Sequence, residues 1–229
     1  MKPNLLLIGG PGAGKGTQSE RLSQWLGVPH LSTGEIFRQQ IALGTALGKE
    51  AAIYIDRGRL VPDNLADLVA EERLALPDAQ DGYVLDGYPR SLPQALELAR
   101  ALKQRGHKLD AAIYLDVPDE DIMTRLSGRL TCRSCGKTCH ALFYPPRQAG
   151  ICDACGGELY QRNDDNPASI SARLRIFHGI TGPMLDYYRG KGLLISVDAT
   201  TGMEKVSEQI RFCVQGLMQP VSAVPVQPV

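Results

Sequence analysis

The sequence predicts an α/β fold, with a parallel-sheet P-loop core, surrounding helices, a small helical insertion and a second insertion that carries cysteines. Three observations support this. The apolar run Leu5, Leu6, Leu7, Ile8 leads directly into residues 9–17, GGPGAGKGT, and a helix-periodic stretch follows at once. Further short apolar runs at 82–86, 111–116 and 193–197 alternate with helical patterns, the rhythm of a parallel sheet with right-handed crossovers. Between Arg129 and Asn166 that rhythm stops and two C-x₂-C pairs appear.

Taken in order, the first element announces an anion site. A strand ending in a glycine-rich turn and opening a helix aims several backbone N–H groups and the positive helix end at one point. Five glycines lie within nine residues, and Lys15 adds a charge. The P-loop spacing holds, except that Gly16 stands where a hydroxyl is expected and Thr17 supplies it one residue late. Gln18, Leu22, Trp25 and Leu26 form a packing stripe, ended by Gly27 and Pro29. From His30 to Leu60 the chain reads as a small helical insertion, with Ser32-Thr33-Gly34-Glu35 as an N-cap and helices over 36–43 and 45–56. Pro62-Asp63 opens another helix. The strand at 82–86 ends in Asp86, and the loop after it, Gly87-Tyr88-Pro89-Arg90, belongs at a carboxyl edge, where open α/β sheets bind ligands. Asp86 suits Mg²⁺ and Arg90 suits a phosphate; a salt bridge between the two is the structural alternative. Helices are predicted over 91–105, 118–129 and 202–217, and one beginning near Ser169 with Asp164, Asp165 and Pro167 as a hinge before it. Residues 218–229, with three prolines and no charge, read as a disordered tail.

The 229 residues suffice for one main domain with insertions. Lys plus Arg and Asp plus Glu are 25 each, so no global field favours a nucleic acid or an anionic membrane, and phosphate chemistry has to be local. No apolar run approaches the ~18–20 residues of a membrane span, and Met1 to Asn4 leaves no room for a signal peptide before the first strand. A cytoplasmic protein with neither nucleic-acid nor membrane partner is expected.

In a reducing compartment, clustered cysteines hold metal more often than they pair. Cys132, Cys135, Cys152 and Cys155 form two C-x₂-C pairs sixteen residues apart, with glycines at 136, 156 and 157 for tight turns. Four thiolates close a tetrahedral zinc shell, so the metal is structural. Two disulfides and a nucleic-acid-binding ribbon are the rival readings; six Lys or Arg against four Asp or Glu over 125–165 is a mild excess for the latter. Cys139 and Cys213 read as small packed residues, and His30, His107, His140 and His178 as surface or satisfied structural histidines.

Together GGPGAGKGTQ at 9–18, STGE at 32–35, DGYPR at 86–90, GR at 128–129, the four cysteines and RNDDNP at 162–167 resemble the adenylate kinase family in its zinc-binding bacterial form. The resemblance covers nearly the whole chain to about residue 217. It implies a core over 1–31, 62–123 and 166–217, an AMP-binding domain over 32–61, and a zinc-binding lid over 124–165 that closes over ATP. It further implies ATP contacts from Gly12, Ala13, Gly14, Lys15, Gly16, Thr17, Arg125, Arg129, Thr138, Cys139 and Thr201. AMP would be held by Thr33, Arg38, Arg59, Leu60, Val61, Gly87, Tyr88, Pro89, Arg90, Gln94, Arg162 and Arg173. Lys15, Arg90, Arg129, Arg162 and Arg173 would be catalytic, with Mg²⁺ near Asp86, ADP as product and a monomer as the working unit. Glu35, Leu130 and Cys139 depart from the commoner pattern, Cys139 replacing an aromatic residue near the ATP base.

The chemistry agrees with such a site. In ATP + AMP ⇌ 2 ADP the nucleophile is a phosphate oxygen, largely dianionic at neutral pH, so no general base is required. Alignment of two polyanions and neutralisation of charge are what the protein has to supply. A kinase for another monophosphate or with GTP as donor shares this machinery; Thr33 and Gln94 favour AMP. A P-loop switch would need a water-positioning residue, and a zinc-ribbon nucleic-acid binder a basic or aromatic stripe, neither of which is visible in the sequence.

Overall fold

The computed structural model describes residues 2–218; most of the 218–229 tail therefore lies outside the described residues. A five-stranded parallel sheet forms the centre. Its strands are β1 (Asn4–Gly9), β2 (His30–Ser32), β3 (Tyr83–Asp86), β4 (Ala111–Asp116) and β8 (Leu194–Asp198), in spatial order β2-β3-β1-β4-β8. From β1 the chain runs to β2 and β3 on one side and then crosses to β4 on the other, so the carboxyl end of β1 is a topological switch point, where open sheets form a crevice.

Both faces of the sheet are buried, as the unbroken apolar runs require. Leu5 and Leu7 face a layer built from α1 (Lys15–Leu26), α6 (Asp119–Ser127), α7 (Pro167–Ile176) and α9 (Met203–Met218), packed through Leu22, Ile122, Ile170 and Ile210. Leu6 and Ile8 face the opposite layer, from α4 (Asp63–Leu74), α5 (Leu92–Gln104) and α8 (Gly182–Gly190), through Leu74, Leu98 and Met184. The helical insertion contains α2 (Thr33–Ala42) and α3 (Ala46–Ile55), whose small core around Phe37, Ala51 and Val61 is completed by Val69 of α4. Ser32 and Thr45 cap them by accepting from the N–H groups of Glu35 and Gly48.

Four differences from the sequence reading matter. His30–Ser32 is an edge strand and the insertion begins after it; three residues are too few to show a period. The helix expected over 118–129 stops at Ser127, because Gly128 breaks it against the His140 ring, and Arg129 opens β5 (Arg129–Cys132). With β6 (Thr138–His140) and β7 (Leu159–Tyr160), β5 makes an antiparallel sheet of order β6-β5-β7 in the cysteine insertion. Helix α7 starts at Pro167 rather than near Ser169; Asn166 is its cap, its Oδ1 accepting from the Ser169 N–H at 2.9 Å, and the expected Asp164–Asp165 hinge is a 3-10 turn, Asn163–Asp165, with both aspartates buried.

Candidate active site

At the end of β1 the glycines do what side chains could not. Gly12 and Gly14 take φ values of 78° and 96°, and a Cβ on Gly12 would meet Leu126 Cγ at 2.7 Å, so α6 packs directly on the loop. No side chain caps α1 and no acid lies in its first turn, leaving its N–H groups facing the crevice. Lys15 Nζ donates to the Gly9 and Gly10 carbonyls, both at 2.9 Å. Desolvation by the crevice walls draws its pKa down to about 8; Asp86 opposes that fall, and Arg90, Arg173 and Arg129 add to it.

Strand β3 runs beside β1 and delivers Asp86 to the same edge, paired in register with Leu7. The alternative salt bridge to Arg90 is not formed. The nearest cationic partner of Asp86 is His30, with Nε2 at 3.6 Å from Oδ2, too long for a hydrogen bond but close enough for charge. Burial opposes ionisation of Asp86, but His30, Lys15 and Arg90 outweigh it and hold the carboxyl below its ordinary range. Burial likewise opposes the charged form of His30, and Asp86 outweighs it, raising the imidazole pKa. His30 Nε2 is buried and makes no hydrogen bond, so His30 fits neither half of the expectation of a surface or satisfied structural histidine, whereas His140 accepts from the Leu142 and Phe143 N–H groups and His178 pairs with Asp119 at the surface.

The loop after β3 is braced from several sides. The Arg90 N–H donates to Gln94 Oε1 at 2.7 Å, Arg90 Nε to Gly87 O at 2.7 Å, and Thr181 Oγ1 to Arg90 O at 3.0 Å. Gln94 is buried and its Nε2 donates to Asp63 Oδ1. Tyr88 turns into the core, its hydroxyl donating to Asp67 Oδ1 at 2.6 Å, and Val61 packs inside the insertion core; Tyr88 and Val61 therefore face the crevice with backbone at most. A Cβ placed on Gly34 would stand 3.2 Å from Arg38 Nη1 and 3.7 Å from Arg90 Nη2, and one on Gly87 would stand 3.1 Å from Thr33 Oγ1. Thr33, Arg38, Gly87 and Arg90 thus meet across one gap. Burial and the charge of Arg162 pull the Arg38 pKa down to about 10, where it stays protonated at neutral pH.

Three more arginines arrive from the other side, held by two acids. Arg129 grips Asp165 with Nε and Nη2 at 2.8 and 2.5 Å; Arg162 grips Asp164 at 2.8 and 2.5 Å; Arg173 Nη1 bridges both, at 3.0 Å from Asp164 Oδ2 and 3.3 Å from Asp165 Oδ1. The side chain of Asp165 is 0% exposed. Burial opposes the charge of Asp164, but Arg162 and Arg173 prevail and its pKa falls to about 2. Sequence reasoning missed Asp164 and Asp165 as arginine holders; the signal was their position between Arg162 and Arg173.

The remaining expected contacts sit on other elements. Arg125 Nη2 donates to Ala199 O at 2.8 Å and Thr201 lies two residues further on, both at the loop between β8 and α9. Thr138 and Cys139 lie on β6. Arg59 lines a hollow of about 550 Å³ with Arg57, Ala172, Arg175, Ile176 and Ile180.

The cysteines converge. Each C-x₂-C pair folds into the same turn, with Gly136 N–H donating to Cys132 O and Gly156 N–H to Cys152 O, both glycines at positive φ. All four Sγ atoms lie within 4.8 Å of one another, with Cys132 to Cys155 at 3.5 Å and Cys135 to Cys152 at 3.7 Å. Four sulfurs at ~2.3 Å from one ion would be ~3.8 Å apart, so the set fits a tetrahedral ion. All are free thiols, which removes the disulfide reading.

A strand, a glycine turn carrying a lysine, and a converging arginine cluster at a switch point define a P-loop phosphotransferase. The adenylate kinase family model matches residues 7–193. Relatives named adenylate kinase include those of Symbiobacterium thermophilum, 48% identical over 93% of this chain and 98% of its own, and Archaeoglobus fulgidus, 46% identical over 90% and 95%. A third, from Streptomyces avermitilis, is 45% identical over 90% of this chain and 94% of its own. The chain belongs to the adenylate kinase family.

Proposed function

We propose that the crevice transfers a phosphoryl group between ATP and AMP, giving two ADP, by in-line displacement between phosphates held by the P-loop and the arginine cluster. The observation behind this reading is the convergence of six cations, Lys15, Arg38, Arg90, Arg129, Arg162 and Arg173, from three parts of the chain on one gap at the edge of β1 and β3. A lone nucleotide needs only one such side.

In this reading Gly12 to Thr17 and Lys15 take the ATP phosphates, while Thr33, Arg38, Gly87 and Arg90 take the AMP phosphate. Arg129, Arg162 and Arg173 face the transferring group. Residues 32–61 close over AMP and residues 124–165 over ATP, excluding water that would otherwise accept the phosphoryl group. Arg125 and Thr201 flank the ATP base; Arg59 to Val61 and Gln94 border AMP. Asp86, ionised and buried beside Lys15, fits a magnesium ion held through its hydration shell, and that ion when bound supplies further charge neutralisation. No residue has to remove a proton. The four thiols fit zinc, which would brace the lid without touching substrate. A cytoplasmic monomer suffices for this scheme; no helix among the described residues is long and apolar enough to cross a membrane.

A coupled assay with ATP and each nucleoside monophosphate in turn tests the reading. AMP should be the preferred acceptor, and Arg90→Ala should lower turnover at least about a hundredfold with the melting temperature within a few degrees of wild type. Wild-type turnover in that variant would remove Arg90 from the site.

A further inference from the structure

Helices α7 and α8 form one continuous rod interrupted by a π-turn, Phe177–Thr181. The sequence explains the interruption. Pro183, in the first turn of α8, has no N–H to continue the ladder, and Gly179 and Gly182 meet no neighbour, leaving the backbone free to widen. A π-turn inserts one extra residue, and such insertions cluster at functional sites.

Here the insertion changes which residues share a face. Arg173 and Thr181 are eight positions apart, and at about 100° per residue they would sit roughly 80° apart on an uninterrupted α-helix. One extra residue in the turn reduces the angle covered to about 700°, within roughly 20° of two full turns. Arg173 and Thr181 therefore line the same side of the rod. Arg173 reaches Asp164 and Asp165; Thr181, a residue 6% exposed, donates with its hydroxyl to the Arg90 carbonyl at 3.0 Å.

We infer that Thr181 is a positioning residue for phosphoryl transfer: through the π-turn, a single helix sets both Arg173 and the backbone of Arg90, fixing the spacing of the two guanidinium groups across the gap. This rests on the arginine assignment above. Thr181 touches no substrate in this scheme and acts only through the Arg90 loop.

Thr181→Val keeps the shape and removes the donor, leaving the Arg90 carbonyl unpaired. The expected result is a fall in kcat/KM for AMP of about fivefold to tenfold, the scale of one hydrogen bond, with KM for ATP within about twofold of wild type. Thr181→Ser, which restores the hydroxyl, should recover most of the loss, and Thr181→Ala should resemble valine. Melting temperatures measured in parallel separate this from general loosening. The inference is overturned if Thr181→Val leaves kcat/KM for AMP within twofold, if serine is as impaired as valine, or if ATP and AMP parameters fall together with the melting temperature. Arg90→Ala, run alongside, fails separately: normal turnover there refutes the arginine assignment whatever Thr181 does.

Discussion

Asp164→Asn isolates the value of one buried charge at nearly constant shape. The wild-type carboxylate is about 10% exposed, receives two hydrogen bonds from Arg162 and lies 3.0 Å from Arg173. Its pKa is about 2 in the folded state against an ordinary 3.8. At about 1.36 kcal/mol per pKa unit, the difference corresponds to about 2 kcal/mol of stability at neutral pH. The sign follows from the lowered folded value: the contribution is complete above pH ~5, about half remains at pH 3, and little survives at pH 2. Asparagine should thus lower the melting temperature at pH 7 by roughly 4–8 °C for a chain of this size. Urea unfolding of both proteins between pH 3 and pH 7 measures the gap, and the subtraction cancels acid effects common to the two. A gap that stays constant across that range would refute the view that Asp164 is held ionised by the arginines.

Two further outcomes follow from the site. With the proposed zinc in the thiol cluster, a chelator should lower the melting temperature while turnover measured well below that temperature is largely kept; loss of turnover with no earlier melting would contradict a structural metal. Because Lys15 titrates near pH 8 in the free protein, nucleotide binding should require proton uptake above that pH, so that affinity falls as pH rises past 8. For the same reason the nucleotide-free protein gains stability from Lys15 deprotonation between pH 8 and 10.5, the unfolded state binding the extra proton there. Lys15→Met should remove both dependences in calorimetric titrations and melting curves.

What could be read in advance was what breaks local rules in sequence. The glycines of residues 9–17 and the two C-x₂-C pairs announce turns that ordinary residues cannot make, and β1, β3 and β4 are apolar runs that only a doubly covered sheet accommodates. Asp164 and Asp165 were illegible as buried residues because an acid in sequence defaults to solvent; only packing between Arg129, Arg162 and Arg173 reverses that default. His30–Ser32 is too short to repeat even a two-residue alternation twice, and its pairing with β3 is a property of the sheet. The π-turn left a trace, Gly179 and Gly182-Pro183 inside a helical pattern, but its consequence for Thr181 depends on where Arg90 lies in space.

The buried acids also explain how so many cations can wait in one place. Lys15, Arg38, Arg90, Arg129, Arg162 and Arg173 repel one another, as the lowered values for Arg38 and Arg173, both about 10, record alongside their burial. Asp86, Asp164 and Asp165 offset half of that charge, each from behind the guanidinium or ammonium group it touches or faces. The cluster therefore keeps roughly three positive charges, close to the roughly four negative charges that ATP and AMP carry together once one magnesium ion is counted. A site without the acids would be pushed open by its own charge before substrate arrived; one with more of them would bind the phosphates too weakly to align them. In the proposed scheme, preorganised charge of this size would need little rearrangement during transfer, which is where electrostatic catalysis has its advantage over water. Replacing Asp165, whose side chain is wholly buried between Arg129 and Arg173, should thus lower kcat more than it raises either KM, because the misplaced guanidinium groups still attract phosphate but no longer stand where charge develops. An Asp165→Asn enzyme with higher KM values and an unchanged kcat would show instead that the acid serves binding alone.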